Sequence, residues 1–408
     1  MLFVKKFGGT SVGTTERIQA VAERVEKTVR KGHACAVVVS AMGHTTDELV
    51  RLAEALSSQP SRREMDALLA TGEQVTTALL AMALHERGIV AESFTGWQAG
   101  IRTEATHGAA RIEAIETEAL RALLDRGGVP VIAGFQGIAG MAITTLGRGG
   151  SDTTAVAVAA ALSADYCEIY TDVTGVYTAD PRRVRSARKL SHLLYDEMLE
   201  LANLGSQVLH PRAVETAKRH GIKLVVRSSF DEAEGTVVGD MSMEGARVVT
   251  GVACEKEVAR IALVGMPKSG KQLADVFGAL ANEHVNVDVI VQSIVRQGEV
   301  DVSFTVAESE LTHALAICSS LATKTRHQSI VQERGLSKIS IVGAGMISNP
   351  GVAAQMFEAL ERAGVDVLMV STSEIKVSCV IAQDYLDAAV RAVHDSFHLG
   401  EGGAHGYS

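Results

Sequence analysis

Hydrophobic and polar positions fall into two regimes along the chain. In the first regime short apolar runs alternate with amphipathic stretches. Residues 2–7 read as a strand, Gly8-Gly9-Thr10-Ser11 as a loop, and residues 15–30 as a helix closed by Gly32. Residues 34–40 form a β-rich run, followed by a polar loop and helices over 46–56 and 62–86. Residues 129–134 predict a buried strand and 153–163 an Ala/Val-rich buried helix, while 166–171 and 223–227 return to strand character. Strands alternating with helices predict an α/β sheet covered on both faces. Glycine falls mainly after strands, where backbone can approach a ligand.

From about residue 255 the chain repeats itself at an offset of 80. Ile261, Gly265, Met266, Ala274, Phe277, Ala279, Leu280, Val285 and Val287 recur as Ile341, Gly345, Met346, Ala354, Phe357, Ala359, Leu360, Val365 and Val367. A gapless repeat of this kind predicts two copies of one module. Each copy reads strand, helix, strand, strand, helix, strand, the ferredoxin-like order. The stretch 231–246, rich in Glu, Gly, Ser and Met, predicts the linker between the regimes.

Composition narrows the class. Of 408 residues 47% are hydrophobic and 21% charged, with six prolines, which excludes a disordered or fibrous chain. The net charge is −9: Cys254 onward holds 12 Lys+Arg against 18 Asp+Glu, and the part before it 27 against 30. Neither part is basic, so neither a nucleic-acid groove nor an anionic membrane surface is expected. Cys35, Cys167, Cys254, Cys318 and Cys379 are far apart, with no C-x-x-C, and read as reduced thiols of a cytoplasmic protein. Lys5 and Lys6 interrupt the first apolar run, so no signal peptide is expected, and no uninterrupted 18-residue apolar span is present.

Candidate chemistry concentrates in the first 180 residues. Lys6-Phe7-Gly8-Gly9-Thr10-Ser11 places a lysine at a strand end and two glycines before a helix. That arrangement either cradles a phosphate on backbone N–H groups or merely turns and caps. Gly147-Arg148-Gly149-Gly150-Ser151-Asp152 repeats the pattern, with an arginine able to fork onto a carboxylate and an aspartate able to hold an ammonium or a lysine. Thr171-Asp172 through Tyr177, Asp180 and Arg182 follow another strand; Ser40, Thr46 and Asp47 follow the second; Gly72-Glu73 interrupts a helix. Gly265–Lys271 imitates a phosphate-binding loop, but Gln272 stands where a magnesium-ligating hydroxyl belongs, and the counterpart at 345–351 has no lysine. It reads as a strand-to-helix turn. The 13 histidines are dispersed, with no H-E-x-x-H and no triad spacing, and His210 reads as a loop residue.

Taken in order, Lys6–Val12, Val38–Gly43, Thr71-Gly72-Glu73, Thr145–Thr154 and Thr171–Arg182 resemble the monofunctional, amino-acid-regulated aspartate kinases over essentially the whole chain. Residues 93–104 and the gapless loop after 200 look most similar to the lysine-sensitive branch. The resemblance implies an α/β protein: a three-layer αβα amino-acid-kinase sandwich over 1–240, then ferredoxin-like ACT domains over 255–333 and 336–408. It implies phosphorylation of the β-carboxylate of L-aspartate by ATP, with Mg2+ carried by the nucleotide and no metal site on the protein. Lys6, Asp152 and Arg148 are the implied catalytic residues. Lys6, Phe7, Gly8, Gly9, Thr171, Asp172, Tyr177 and Arg182 would bind ATP; Ser40, Thr46, Glu73, Arg148, Gly150 and Ser151 would bind aspartate. The effector, lysine with or without threonine, would meet Lys268, Ser269, Gly270, Lys271, Gln272, Asn286, Val287, Asp288 and Gln292. A homo-oligomer through the ACT domains is implied, with or without a separately translated regulatory subunit starting at Met243, and no nucleic-acid or membrane partner. Two departures stand out: Gln207 replaces a lysine of the nucleotide site of many relatives, and the first ACT copy has Gly270-Lys271 for a Pro-Gly turn. Two alternatives stay open, a glutamate- or carbamate-type kinase and a non-catalytic amino-acid sensor.

Overall fold

The computed structural model describes residues 1–205, 208–240, 247–268, 270–293 and 298–400. Ser206, Gln207, Met243 and Ser269 lie outside the described residues. The chain divides into two units. The first comprises 1–176, 189–203 and 208–240; the second takes 177–188 and 204–205 together with the chain from 247.

In the first unit the strands that matter below are β1 (Leu2–Phe7), β2 (Ala34–Val39), β3 (Ala91–Phe94), β4 (Val129–Ala133), β5 (Ala142–Thr145), β6 (Tyr166–Thr171), β7 (His192–Leu193), β8 (Leu224–Ser228) and β9 (Thr236–Val238). The helices that matter below are α1 (Thr15–Arg30), α2 (Arg62–Leu69), α3 (Thr71–His85), α4 (Gly150–Leu162) and α5 (Pro211–His220). Eight strands form one sheet in the order β7-β9-β8-β6-β1-β2-β4-β3, and β5 belongs to a separate four-stranded sheet. Every pair of the main sheet except β8 with β9 is parallel. Such a sheet needs cover on both faces, which is why β2 and β4 read as unbroken apolar runs. On one face Ile18, Val21 and Val25 of α1 and Leu80 and Leu84 of α3 pack onto Phe7, Val37, Val39 and Val131. On the other lies α4, whose Ala/Val composition buries most of its circumference.

The expected helix over 62–86 is two helices, α2 and α3, meeting at Ala70. Together Arg62–His85 is long and apolar enough to cross a membrane by length and composition, but half of that window is buried. It also carries Asp66 and Glu73, both buried, 1% and 3% exposed. Their hydrogen bonds to neighbouring loops, described below, mark it as a core element of the unit.

Side chains alternate along β1, so Lys5 and Lys6 face opposite sides of the sheet. Lys5 lies on the α1 face and is 5% exposed. Its Nζ meets Glu168 Oε2 of β6 at 2.6 Å, and Tyr170 donates its hydroxyl to the same oxygen at 2.9 Å. Arg227 of β8 reaches the other oxygen at 3.2 Å. Burial pulls the Lys5 pKa down, but Tyr170, Cys35 and Glu168 outweigh it and the net direction is upward. Burial likewise pushes Glu168 up, and Lys5 with Arg227 brings it below its ordinary value. Phe7 stacks on Tyr170 at 4.6 Å, closing the cluster toward the strand ends.

The second unit is built on one six-stranded antiparallel sheet. Its strands are β10 (Gly251–Pro267), β11 (Ile290–Gln292), β12 (Glu299–Ala307), β13 (Ser329–Val342), β14 (Met369–Thr372) and β15 (Lys376–Ala382), in the order β11-β12-β10-β13-β15-β14. The helices are α6 (Gly270–Asn282), α7 (Leu311–Ser320), α8 (Val352–Arg362) and α9 (Leu386–Ser396). Several of the repeated positions lie in the core of each copy: Ile261, Leu280 and Val285 in one cluster, Ile341, Leu360 and Val365 in the other. The copies interleave. The second half of β10 pairs with β12 and with the start of β13, completing the first copy, while Gly251–Glu255 pairs with Lys338–Val342. Among the described residues no strand follows α9, so Gly251–Glu255 is the fourth strand of the second copy. The phosphate-loop imitation from Gly265 is strand as far as Pro267, with a register shift between Leu263 and Met266.

Residues 177–188 cross the division expected at residue 240, because they pack with the second unit. Ala179 and Val184 join its second core cluster, the Thr178 hydroxyl meets Nε2 of fully buried His394 at 2.9 Å, and Val252 donates its amide to the Thr178 carbonyl.

The Lys5–Glu168 pair gives the first prediction. Removing one partner of a buried ion pair leaves the other uncompensated, so Glu168→Gln should lower unfolding stability by about 3–5 kcal/mol. Urea unfolding checks this; an unchanged midpoint would show that the cluster contributes nothing.

Candidate active site

Parallel strands deliver their carboxyl ends to one edge, and ligands of open α/β sheets bind there. At that edge β1 runs into Phe7-Gly8-Gly9, β2 into Ser40-Ala41, β4 into Gly134-Phe135 and β6 into Thr171-Asp172. Lys6, on the α4 side of β1, reaches Asp152 in the first turn of α4: Nζ to Oδ1 is 2.6 Å, with both side chains about one-eighth exposed. This pair joins a strand end to a helix N-terminus. Ser40 donates its hydroxyl to Ser151 at 3.0 Å across the gap between β2 and α4. Arg148, beside them in the loop before α4, is exposed and has no ion-pair partner among the described residues.

Glu73 enters from α3. Its Oε1 accepts from the Ala41 amide at 3.2 Å, whereas Oε2 is buried with no hydrogen-bond partner among the described residues. A Cβ on Gly72 would lie 2.8 Å from the Ala41 Cβ, so glycine allows the approach that puts Glu73 against β2. Burial raises the Glu73 pKa to about 7, against the opposing pull of backbone amides and Gln136. An unsatisfied acceptor of this kind is suited to an ammonium group.

The structure thus gathers Lys6, Gly8, Ser40, Glu73, Ser151 and Asp152, with Arg148 and Gly150, around neighbouring strand ends. Phe7 is buried beneath them, and Gly9 packs against the backbone of Ala41 and Gly43. Thr46 lies in the first turn of the helix Thr45–Leu56, half-buried. Thr171 donates its hydroxyl to Asp172 at 3.1 Å at the end of β6. Tyr177 and Arg182, expected beside them, belong to the second unit, where Arg182 forks onto Asp180 at 3.0 Å. Among the described residues no group of three His, Cys, Asp or Glu side chains could hold a metal ion.

Sequence reading missed three contributors. His210 accepts from the Arg212 amide and so caps α5, and its ring lies against Gly149. Gly149 is left-handed, φ +66°, and a Cβ there would fall 2.1 Å from the imidazole, so the histidine is a wall of the site loop. Burial lowers the His210 pKa, with Asp152 pulling the other way. Gln136 is fully buried and ties the Gly96 amide to the Ala70 carbonyl at the joint of α2 and α3. Phe135 holds a left-handed backbone, φ 70°, unusual for a bulky residue. Its amide and carbonyl bond to Thr154 and Leu146. Of these only His210-Pro211 carried a signal, a capping residue before proline at a helix start.

In the second unit the effector residues fall into two groups. Lys268, Gly270, Lys271 and Gln272 lie where β10 passes into α6, and Gln292 ends β11. Asn286, Val287 and Asp288 precede β11, and the Asp288 amide bonds to Thr305 near the far end of β12, six residues from Glu299, which pairs with Pro267. Asp288 also pairs with Lys338, a lysine 6% exposed that meets Glu255 at 2.8 Å. Burial pulls Lys338 down, but its two carboxylates hold its pKa above the usual value.

Comparison with known proteins agrees with this geometry. Residues 1–228 match the amino acid kinase family, and residues 261–320 and 339–397 match the ACT domain. The class is therefore a small-molecule kinase joined to a pair of ACT modules. The chain is 55% identical to an aspartokinase of Geobacillus stearothermophilus, covering 98% of each. Its fold is similar to E. coli aspartokinase III in complex with aspartate and ADP (R-state), with 28% identity and a TM-score of 0.83 over 97% of this chain and 99% of that one. The same E. coli enzyme in complex with lysine and aspartate (T-state) gives 27% identity and a TM-score of 0.77 over the same shares. The chain belongs to the aspartokinase family, enzymes that phosphorylate aspartate from a nucleotide. Membership decides against the glutamate- or carbamate-type kinase and the sensor.

Glu73 provides a pH test. With its pKa raised to about 7, its carboxyl in the free enzyme holds a proton that the unfolded chain would release at lower pH. Stability from this group therefore falls as pH rises from the ordinary carboxylate range toward 7. An ammonium favours the ionised form, so the aspartate KM should fall as pH rises through about 7. In Glu73→Gln the KM should be higher and that slope absent; a slope surviving in the variant assigns it to another group.

Proposed function

We propose that this enzyme catalyses ATP + L-aspartate → ADP + 4-phospho-L-aspartate. This is the opening step toward lysine, threonine, methionine and diaminopimelate, carried out in the cytoplasm. The observation that carries the reading is the 2.6 Å Lys6–Asp152 pair, set beside an unpaired arginine and a half-satisfied buried glutamate. The β-carboxylate of aspartate is itself the nucleophile, so no covalent enzyme intermediate is required. Catalysis then rests on alignment and on neutralising charge over the transferred group.

In this reading Lys6 meets the γ-phosphate, and the Gly8-Gly9 backbone, with Phe7 beneath it, cradles phosphate oxygens. Asp152 orients Lys6 before substrate arrives. Arg148 forks onto a substrate carboxylate and Glu73 receives the ammonium, with Ser40, Thr46, Gly150 and Ser151 lining the same pocket. Thr171 and Asp172 face the nucleotide. Magnesium would be carried by the nucleotide phosphates and would supply charge neutralisation there, and Asp152 is the carboxylate paired with the lysine that would share those phosphates.

Lysine, with or without threonine, is the proposed effector. In one chain Lys268 and residues 270–272 stand apart along the sheet from residues 286–288, which suits an effector bound where two copies of the chain meet. A homo-oligomer through the ACT sheets follows, and lysine inhibits by favouring an inactive arrangement. The lysine complex of the E. coli relative supports this reading.

Two measurements test these proposals. Lys6→Ala should reduce kcat by at least about a hundredfold in a hydroxamate assay for aspartyl phosphate; unchanged turnover would reject the phosphate site. Lysine and threonine titrated singly and together should show inhibition by lysine, with Gln292→Ala raising the half-inhibitory concentration roughly fivefold or more. No response to either amino acid would reject feedback while sparing the chemistry.

A further inference from the structure

Asp66 has no part in the chemistry above, yet at 1% exposure it is the most completely buried carboxylate among the described residues. A carboxylate removed from water has to be satisfied by hydrogen bonds, and those of Asp66 come from two loops distant in sequence. The Thr145 hydroxyl donates to Oδ1 at 2.5 Å, and the Gly108 amide approaches both oxygens at 3.1 Å. His107 Nδ1 lies 2.7 Å from Oδ2. Carbonyl oxygens of the same two segments are taken by a second charged residue. Arg212, in the first turn of α5, donates from Nη1 to the Leu146 carbonyl at 2.9 Å and from Nη2 to the Ala110 carbonyl at 3.2 Å. The segments also bond to each other, Ala110 amide to Thr145 carbonyl at 2.9 Å. Donors therefore go to one charge and acceptors to the opposite charge, and the chain at Thr145-Leu146 is held from both sides. Arg148 follows two residues later.

We propose that Asp66 and Arg212 are positioning residues that fix the loop from Thr145 to Gly150, so that Arg148 meets the substrate carboxylate from a preset backbone. The inference rests on the reading of Arg148 given above. An exposed arginine without a partner must be ordered when substrate binds, and fixing its backbone beforehand removes part of that loss. The glycines proposed to face the nucleotide, Gly8 and Gly9, follow β1, and among the described residues no hydrogen bond ties them to Asp66. Loss of a clamp should therefore weaken aspartate and spare ATP.

Steady-state kinetics of the full-length enzyme test this with Asp66→Asn, Thr145→Val and Arg212→Met, and with Arg148→Ala beside them. An asparagine presents N–H groups where Asp66 accepts on both oxygens, and valine keeps the shape of threonine without its donor. The aspartate KM should rise about tenfold or more in Asp66→Asn and several-fold in Thr145→Val and Arg212→Met, with the ATP KM within about twofold of wild type and kcat changed less than KM. An unchanged aspartate KM in the clamp variants overturns the proposal. A parallel rise of both KM values, the mark of general loosening, overturns it too. If Asp66→Asn does not fold, Thr145→Val decides by the same ratio. A raised aspartate KM in Arg148→Ala with normal clamp variants rejects the clamps alone; a normal KM in Arg148→Ala rejects the reading of Arg148 and the proposal with it.

Discussion

Two adjacent lysines on one buried strand set the terms for the catalytic unit. Period-two alternation sends Lys5 to the α1 face and Lys6 to the α4 face, and neither charge can stay there alone. Glu168 answers the first at 2.6 Å and Asp152 the second at the same distance. The first pair is structural: it ties β1 to β6 and, through Arg227, to β8. The second is left at the strand ends, partly open, where an anion can take the place of a carboxylate. One strand thus carries both the cross-link that holds the sheet and a cation placed at its edge.

Around that edge the loops are held by charged groups hydrogen-bonded within the protein. Asp66 collects donors and Arg212 collects acceptors from the loop segments leading to Arg148. His210 walls the left-handed Gly149 just before α4. The groups left with unmet capacity, Arg148 and one oxygen of Glu73, are the ones suited to a zwitterionic amino acid. Rigid surroundings with a few unsatisfied groups are what a site needs if binding energy is to go into alignment.

The second unit shows a different economy. Two copies of a βαββαβ module share two long strands, so that each half of β10 and each half of β13 serves a different copy. The first copy runs continuously from Val258 to Leu336, whereas the second takes its last strand, Gly251–Glu255, from ahead of the first. The segment 177–188, which leaves the first unit after Val176 and returns at Lys189, also packs in this unit, against buried His394.

Much of this was legible in the chain. Apolar runs located β1, β2, β4, β6 and β8 nearly to the residue, and the offset of 80 located both ACT cores, because periodicity and repetition are local properties. Lys6, Arg148 and Asp152 could be named because each follows a strand or opens a helix beside glycines, a signal carried within a few neighbouring residues. What the sequence could not show were partnerships across long separations. Asp66 meets Thr145 from 79 positions away, Thr178 meets His394 from 216, and Gly251–Glu255 completes a module whose other strands begin beyond residue 335. Nor could it show that α2 and α3 part at Ala70, or that Glu73 would be buried with one oxygen unsatisfied. Short-range pattern fixes which elements form and which residue types lie at their ends; desolvation fixes which charges must find one another, and only the packed chain decides where.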